Sequence, residues 1–134
     1  MTEQNQTQKK ILVVENNKSL NKALSEKLKS EDFIVFSAFN GEEGLHLAYK
    51  KEPDLILLDL IMPVTDGHEF MDHLRRDQWG KDAKVIILSD LSMAEEKVVK
   101  MAITNKPICF LSKSSTKLHE LKTYIDSVFE EDGE

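Results

Sequence analysis

The sequence predicts an α/β fold: one parallel sheet with helices packed on both of its faces. Three observations predict it. Short apolar runs of strand length recur five times along the chain, and a stripe of apolar residues at helical spacing follows each one. The connections are only a few residues long, which favours right-handed strand-helix-strand crossovers within one sheet. At 134 residues the chain has the size of one domain. Such a domain buries roughly two-thirds of the surface its unfolded form exposes.

The first strand is read at residues 10–14, followed by a helix carrying Leu20, Ala23, Leu24 and Leu28. The second, residues 33–37, is β-branched and aromatic. Asn40-Gly41 then supplies a turn before Glu42, Glu43, Leu45 and Ala48 resume helical spacing. Pro53 closes that helix. Residues 54–58 are almost wholly apolar after Asp54, as a central strand covered on both faces should be. A break at Met62-Pro63 and Asp66-Gly67 precedes a third helix bearing Phe70, Met71 and Leu74, which ends near Trp79-Gly80. The fourth strand is placed at 84–88. The fourth helix starts at Ser92, N-cap of a capping box closed by Glu95, and runs through Val98, Met101 and Ala102. A fifth strand at 108–111 leads to a last helix presenting Leu118, Leu121, Ile125 and Val128. Residues 1–9 read as a polar tail, 10–129 as the domain, and 130–134 as a frayed acidic tail.

Composition narrows the function classes. With 40% hydrophobic and 31% charged residues, the chain is a soluble globular type, and no run of apolar residues is long enough to span a membrane. The start, MTEQNQTQKK, lacks the apolar core of a secretory signal, so the expected compartment is the cytoplasm. The single cysteine, Cys109, lies in an apolar run and reads as a small buried hydrophobe rather than a reactive thiol. A net charge of −6 argues against direct nucleic-acid binding, which needs a basic footprint, and points to protein partners. His46, His68, His73 and His119 lack metal-ligand spacing and read as surface residues. No glycine-rich phosphate loop or dinucleotide fingerprint is present.

In a sheet of this kind the reaction site lies beyond the carboxyl ends of the strands. The first strand delivers Glu15-Asn16-Asn17 there, the third Asp59, the fourth Ser89-Asp90 and the fifth Ser112-Lys113. An acidic group beside Asp59 can hold a hard divalent cation such as Mg²⁺, which takes oxygen ligands and usually keeps several waters. Asp59 is then a nucleophile, with Lys113 to neutralise a phosphoryl oxygen and Ser89 to donate to another. Each residue alone is an ordinary polar group at a strand end. Chemically matched residues at four independent strand ends are what carry the reading.

At these residues the sequence resembles the receiver domains of two-component response regulators, over nearly the whole chain. The most specific segment is PDLILLDLIMPVTDG at 53–67, with ILVVE at 11–15, NGEEG at 40–44, VIILS at 85–89 and FLSK at 110–113 in support. The resemblance implies a flavodoxin-like, doubly wound (βα)5 fold with strand order 2-1-3-4-5. It implies that Asp59 is the phospho-acceptor, Ser89 the switch hydroxyl, Phe110 the switch aromatic and Lys113 the conserved-type lysine. Glu15 and Asn16 take the place of the metal-binding acidic pair, with Asp59 and the backbone carbonyl of Ile61 as further Mg²⁺ ligands. The implied donor is a histidine kinase or histidine phosphotransfer protein. The implied output is a protein-binding face of the fourth helix, fifth strand and fifth helix, carrying Met93, Lys97, Lys100, Lys106, Lys117 and Tyr124. Such a domain is not an enzyme beyond assisting its own phosphorylation.

The chain departs from that family's pattern at defined positions. Asn16 is neutral where an acid is usual. At an effective dielectric of about 20, a unit charge about 4 Å away is worth roughly 4 kcal/mol. A heavily discounted loss of about 1.4 kcal/mol already weakens Mg²⁺ binding tenfold. Asp90 follows Ser89 where a small residue is general, Ser114 replaces a proline after Lys113, and Lys106 stands where a glycine commonly precedes the fifth strand. Ile61 and Leu91 offer no side chain to orient a hydrolytic water, so a phosphorylated Asp59 is expected to hydrolyse slowly. An alternative follows from Asn16: a pseudo-receiver that binds protein partners without phosphorylation. A metal-dependent aspartyl-phosphate hydrolase is disfavoured, because Ile61 occupies the place of its second aspartate.

Overall fold

The computed structural model describes residues 8–60, 67–89, 105–113 and 115–132, except the side chains of Cys109, Glu131 and Asp132. The expectations for the helix starting at Ser92, for Ile61, Asp90, Leu91, Met93, Lys97, Lys100 and Ser114, and for burial of the Cys109 side chain lie outside the described residues.

Five parallel strands form one sheet: β1 (Lys10–Val14), β2 (Ile34–Ala38), β3 (Leu55–Leu58), β4 (Val85–Leu88) and β5 (Cys109–Leu111). Their order is β2-β1-β3-β4-β5, the expected 2-1-3-4-5 arrangement. The register sets Leu12 opposite both Phe36 and Ile56, and Ile87 opposite both Leu58 and Phe110. Because side chains alternate across a strand, continuous apolar runs fill two cores at once. Leu12, Val14, Ile56, Leu58, Val85 and Ile87 pack on one face with Ala48, Phe70, Met71 and Leu74. Ile11, Val13, Leu55, Leu57, Ile86 and Leu88 pack on the other with Leu24, Leu28, Leu121 and Ile125.

Four strands start one residue later than the apolar pattern suggests. The displaced residues bond at the mouth of the ladder instead. Asp54 donates its N–H to Lys10 O at 2.7 Å, and its carboxylate accepts from Lys10 N at 2.7 Å. Ile56 N donates to Lys84 O at 2.9 Å, and Ile108 N to Val85 O at 2.7 Å. Phe33 packs against Phe129 with ring centroids 5.8 Å apart and planes tilted by 50°. Two residues assigned to the N-terminal tail are also tied in: Lys9 O accepts from Ile34 N at 3.0 Å, and Gln8 Nε2 donates to Asp32 O at 2.7 Å.

Helix α1 (Lys18–Ser30) is capped by Asn17, whose side chain accepts from Leu20 N. Its buried face is Asn21, Leu24, Ser25 and Leu28. Ala23, predicted on that face, is exposed, and Leu20 is half-buried. Two polar residues are buried there because α1 lies over the β1-β2 edge, where backbone carbonyls and Ser37 supply their partners. Helix α2 (Gly41–Lys51) begins directly at the predicted turn: Asn40 is its N-cap, accepting from Glu43 N at 2.8 Å, while Glu43 Oε1 accepts from Phe39 N at 2.8 Å. Gly44 lets α2 approach the sheet, since a Cβ there would meet Val14 at 3.0 Å and Phe70 at 3.1 Å.

Helix α3 (Gly67–Arg76) stops short of the end expected near Trp79-Gly80, and a separate 3₁₀ turn (Gly80–Asp82) follows. Half-buried Arg75 gathers four backbone carbonyls: Asn105 at 2.6 Å, Gly80 and Ala83 at 2.8 Å each, and Lys106 at 3.0 Å. Lys106 itself has φ 58, a left-handed conformation that favours glycine. The last described helix (Leu118–Asp132) buries Leu121 and Ile125, leaves Val128 half-buried, and exposes 37% of Leu118. It runs through Asp132, so residues 130–132 are helical rather than frayed. Leu118, on the buried face by its spacing, is the first residue of the helix and stays partly open to solvent. Among the histidines, His46, His73 and His119 are exposed; His68 is half-buried, with Nε2 3.4 Å from Asp72.

Candidate functional site

The carboxyl ends of β1, β3, β4 and β5 bring together Glu15, Asp59, Ser89 and Lys113. Three of them are placed by the ladder, and Lys113 lies two residues past the end of β5. Asp59 N donates to Val14 O at 3.0 Å, Glu15 N to Ala38 O at 3.0 Å, and Ser89 N to Leu111 O at 3.1 Å. The sheet register therefore extends one residue past β1, β3 and β4 and fixes where these three side chains leave the backbone.

Asp59 is 3% exposed, Glu15 2% and Ser89 5%. Ser89 Oγ donates to Asp59 Oδ1 at 2.8 Å. The Lys113 ammonium donates to Asp59 Oδ2 at 2.9 Å and lies 2.8 Å from Glu15 Oε1. The other Glu15 oxygen accepts from Asn17 N at 2.9 Å. Burial pushes the Glu15 carboxyl above the usual carboxylate range; Lys113 and the Asn17 N–H oppose that shift, and the charge of Asp59 adds to it. Burial acts to lower the pKa of Lys113, but its hydrogen bonds to Glu15 and Asp59 outweigh burial, and the net shift is upward. Lys113 is thus an ammonium at neutral pH, one positive charge shared between two buried carboxyls.

With both carboxyls ionised, the cluster keeps one uncompensated negative charge. Two carboxylates of that kind suit a hard divalent cation that retains waters. Among the described residues no group of three or more His, Cys, Asp or Glu is placed to hold a metal, and Glu15 and Asp59 are the two carboxylates they bring together at this site. Asn16 sits in the bend after β1 with its side chain exposed. Phe110 is half-buried on β5 and, with Ser89, Leu111 and Ser112, lines a cavity of about 300 Å³. A larger groove of about 450 Å³, lined by Glu52, Asp54, Trp79 and Lys84 among others, lies at the opposite ends of the strands and holds none of these groups.

Two features at the site were not read from the sequence. Gly67 packs its backbone on Leu60, the residue after Asp59, and Gly67 N donates to Leu60 O at 2.8 Å. Asn21 donates from Nδ2 to Glu15 O and to Ala38 O, both at 3.0 Å. The signal for Asn21 was available: it lies three residues before Leu24, a polar residue in the buried stripe.

Residues 11–126 match the family model described as the response regulator receiver domain. Among curated proteins, the chain is 36% identical over 89 residues to the "Probable transcriptional regulator ycf29" of Pyropia yezoensis, covering 66% of this chain and 40% of that protein. It is 33% identical over 89 residues to the "DNA-binding dual master transcriptional regulator RpaA" of Synechocystis, covering 66% of this chain and 37% of that protein. The chain thus spans well under half the length of these relatives. Among solved structures, the chemotaxis protein CheY4 of Vibrio cholerae superposes with a TM-score of 0.81 at 25% identity, over 91% of this chain and 99% of that one. The N-terminal domain of a Wolinella succinogenes protein gives 0.79 at 31% identity, over 88% and 91%.

Proposed function

This chain belongs to the response regulator receiver domain family of two-component signalling, and from that premise we propose that it accepts a phosphoryl group on Asp59 from a histidine kinase or histidine phosphotransfer protein. The observation that carries the proposal is the convergence on one buried carboxylate of a hydroxyl donor, Ser89, and an ammonium, Lys113, itself shared with Glu15.

In the proposed step an Asp59 oxygen attacks phosphorus of the donor phosphohistidine. The P–N bond breaks as the O–P bond forms, and the imidazole leaves with its electron pair to take a proton. Lys113 neutralises an oxygen of the arriving group, and Ser89 turns from the carboxylate to donate to another. Glu15, Asp59, the Asn16 side chain and the backbone at Ile61 are the groups that would hold Mg²⁺, and the ion would supply positive charge to offset the carboxylates and the phosphoryl oxygens. The neutral Asn16 leaves that affinity weaker than in a site with a full acidic pair. The acyl phosphate then persists, because Ile61 and Leu91 have no group to activate water. The output face is proposed to include exposed Lys106, Lys117 and Tyr124 with half-buried Phe110, and to bind a protein partner. Lys+Arg 18 against Asp+Glu 24 gives no basic footprint for a direct nucleic-acid role.

The test is incubation with acetyl phosphate, with and without Mg²⁺, followed by intact-mass measurement. A species heavier by one phosphoryl group, dependent on Mg²⁺ and lost in Asp59→Asn, is expected. No such species under conditions that label an ordinary receiver would remove small-donor phosphorylation from the account. A second reading, a phosphorylation-independent interaction module, is favoured by the neutral Asn16 and by Ser89 already bonded to Asp59. Beryllofluoride with Mg²⁺ separates the two: spectral change at Ser89 and Phe110 supports the switch, and none supports the module.

A further inference from the structure

Asn21 is 1% exposed, yet its amide is fully engaged. Nδ2 donates to Glu15 O and Ala38 O, while Ala38 O also accepts from Glu15 N at 3.0 Å. The peptide groups on both sides of the Glu15 Cα are therefore pinned by one short ring of hydrogen bonds. The amide is itself oriented: Oδ1 accepts from Ser25 Oγ at 3.2 Å, and Ser25 Oγ lies 2.8 Å from Ser37 Oγ on β2. This orientation is unambiguous, because a flipped amide would set its oxygen against two carbonyls. The Glu15 side chain leaves from the pinned Cα and reaches Lys113 on one oxygen and Asn17 N on the other.

We propose that Asn21 is a positioning residue for Glu15: by holding from α1 both the Glu15 carbonyl and the Ala38 carbonyl that accepts from Glu15 N, it sets where the carboxylate stands and so the affinity of the site for a divalent cation. Its effect on the cation rests on the reading of Glu15 and Asp59 as a Mg²⁺-binding pair; its effect on the Glu15 carboxylate does not. Groups that orient a metal ligand change affinity by roughly ten- to a hundredfold when removed.

Asn21→Leu keeps the number and branching of the side-chain heavy atoms, with bulkier methyl ends, and removes both donors. NMR of the metal-free protein reads the Glu15 side-chain carboxyl carbon and the Asn17 amide, and Mg²⁺ titration of the amides around Asp59 reads affinity. The expected result is a shift of both resonances and a Mg²⁺ midpoint raised roughly tenfold, with the labelling rate by acetyl phosphate at saturating Mg²⁺ close to wild type. Ser37→Ala, which perturbs the same buried cluster without touching Glu15 O, is expected to leave the midpoint unchanged. A folded Asn21→Leu with unaltered Glu15 and Asn17 resonances and an unaltered midpoint overturns the proposal; Asn21→Ser is read in the same way if the leucine variant does not fold. If the wild-type protein binds no Mg²⁺, the cation reading of the site fails, while the two metal-free resonances still decide whether Asn21 positions Glu15.

Discussion

Replacing Lys113 by methionine tests the electrostatics of the site most sharply. The ammonium lies 2.8 Å from Glu15 and 2.9 Å from Asp59, whose side chains are each 3% exposed. Deleting one partner of a buried ion pair costs about 3–5 kcal/mol, because the remaining charge is stranded. Lys113 is itself 20% exposed, so solvent reaches its end of the cluster and the lower figure applies. A loss of about 3 kcal/mol at neutral pH is expected. Its pH dependence has a definite sign. Glu15 already has a folded-state pKa above 4.5, with Lys113 among the groups holding it down, so removing Lys113 raises it further. A raised carboxyl pKa means that the folded state binds the proton more tightly. Below about 4.5 Glu15 is protonated in both states and carries no penalty; as pH rises through the raised value the penalty grows. On the alkaline side, Lys113 in the wild type has a pKa raised above 10.5. Its stabilising contribution is complete below 10.5 and disappears as pH rises through the folded value. The gap between wild type and Lys113→Met is thus widest between these limits. Urea unfolding followed by the fluorescence of Trp79, the sole tryptophan and packed against the core, measures it. Adding Asp59→Asn to Lys113→Met removes one stranded charge and should recover part of the loss. A gap of equal size at about pH 4 and pH 7, or no recovery in the double variant, would refute this electrostatic account and leave lost packing as the cause.

Two further perturbations address the scaffold. Lys106→Gly should stabilise the fold by about 1 kcal/mol, because the φ of 58 at this position costs a residue with a Cβ; an unchanged or lower denaturation midpoint contradicts this. Gly67→Ala should destabilise by more than about 2 kcal/mol and slow labelling of Asp59, since the new Cβ would lie 2.5 Å from Leu60 Cα and must displace the backbone next to the acceptor. A variant with wild-type stability and labelling rate would show that the Leu60 segment can move aside freely.

The central strands β3 and β4 were legible because each is an uninterrupted, fully buried apolar run, and only a strand covered on both faces permits that. Their first residues were not, because Asp54 and Lys84 bond across to neighbouring strands, pairings that no local pattern shows. The buried face of α1 was read as purely apolar; Asn21 and Ser25 are buried because carbonyls of β1 and β2 and the Ser37 hydroxyl meet them there, partners distant in sequence. The grip of Arg75 on four carbonyls was hidden for the same reason. The four residues that converge at the site could be named in advance, because Glu15, Asp59 and Ser89 follow their strands directly, Lys113 comes one residue later, and a parallel sheet directs all of its carboxyl ends to one side. Their distances, and the sharing of Lys113 between two carboxyls, required the register.

Trapping the acyl phosphate tests the central claim most directly. After acetyl phosphate and Mg²⁺, reduction with sodium borohydride converts a phosphorylated aspartate to homoserine, and peptide mass spectrometry of the β3 segment locates it. Homoserine at position 59 is the predicted result; homoserine at another acidic residue, with Asp59 intact, would contradict it.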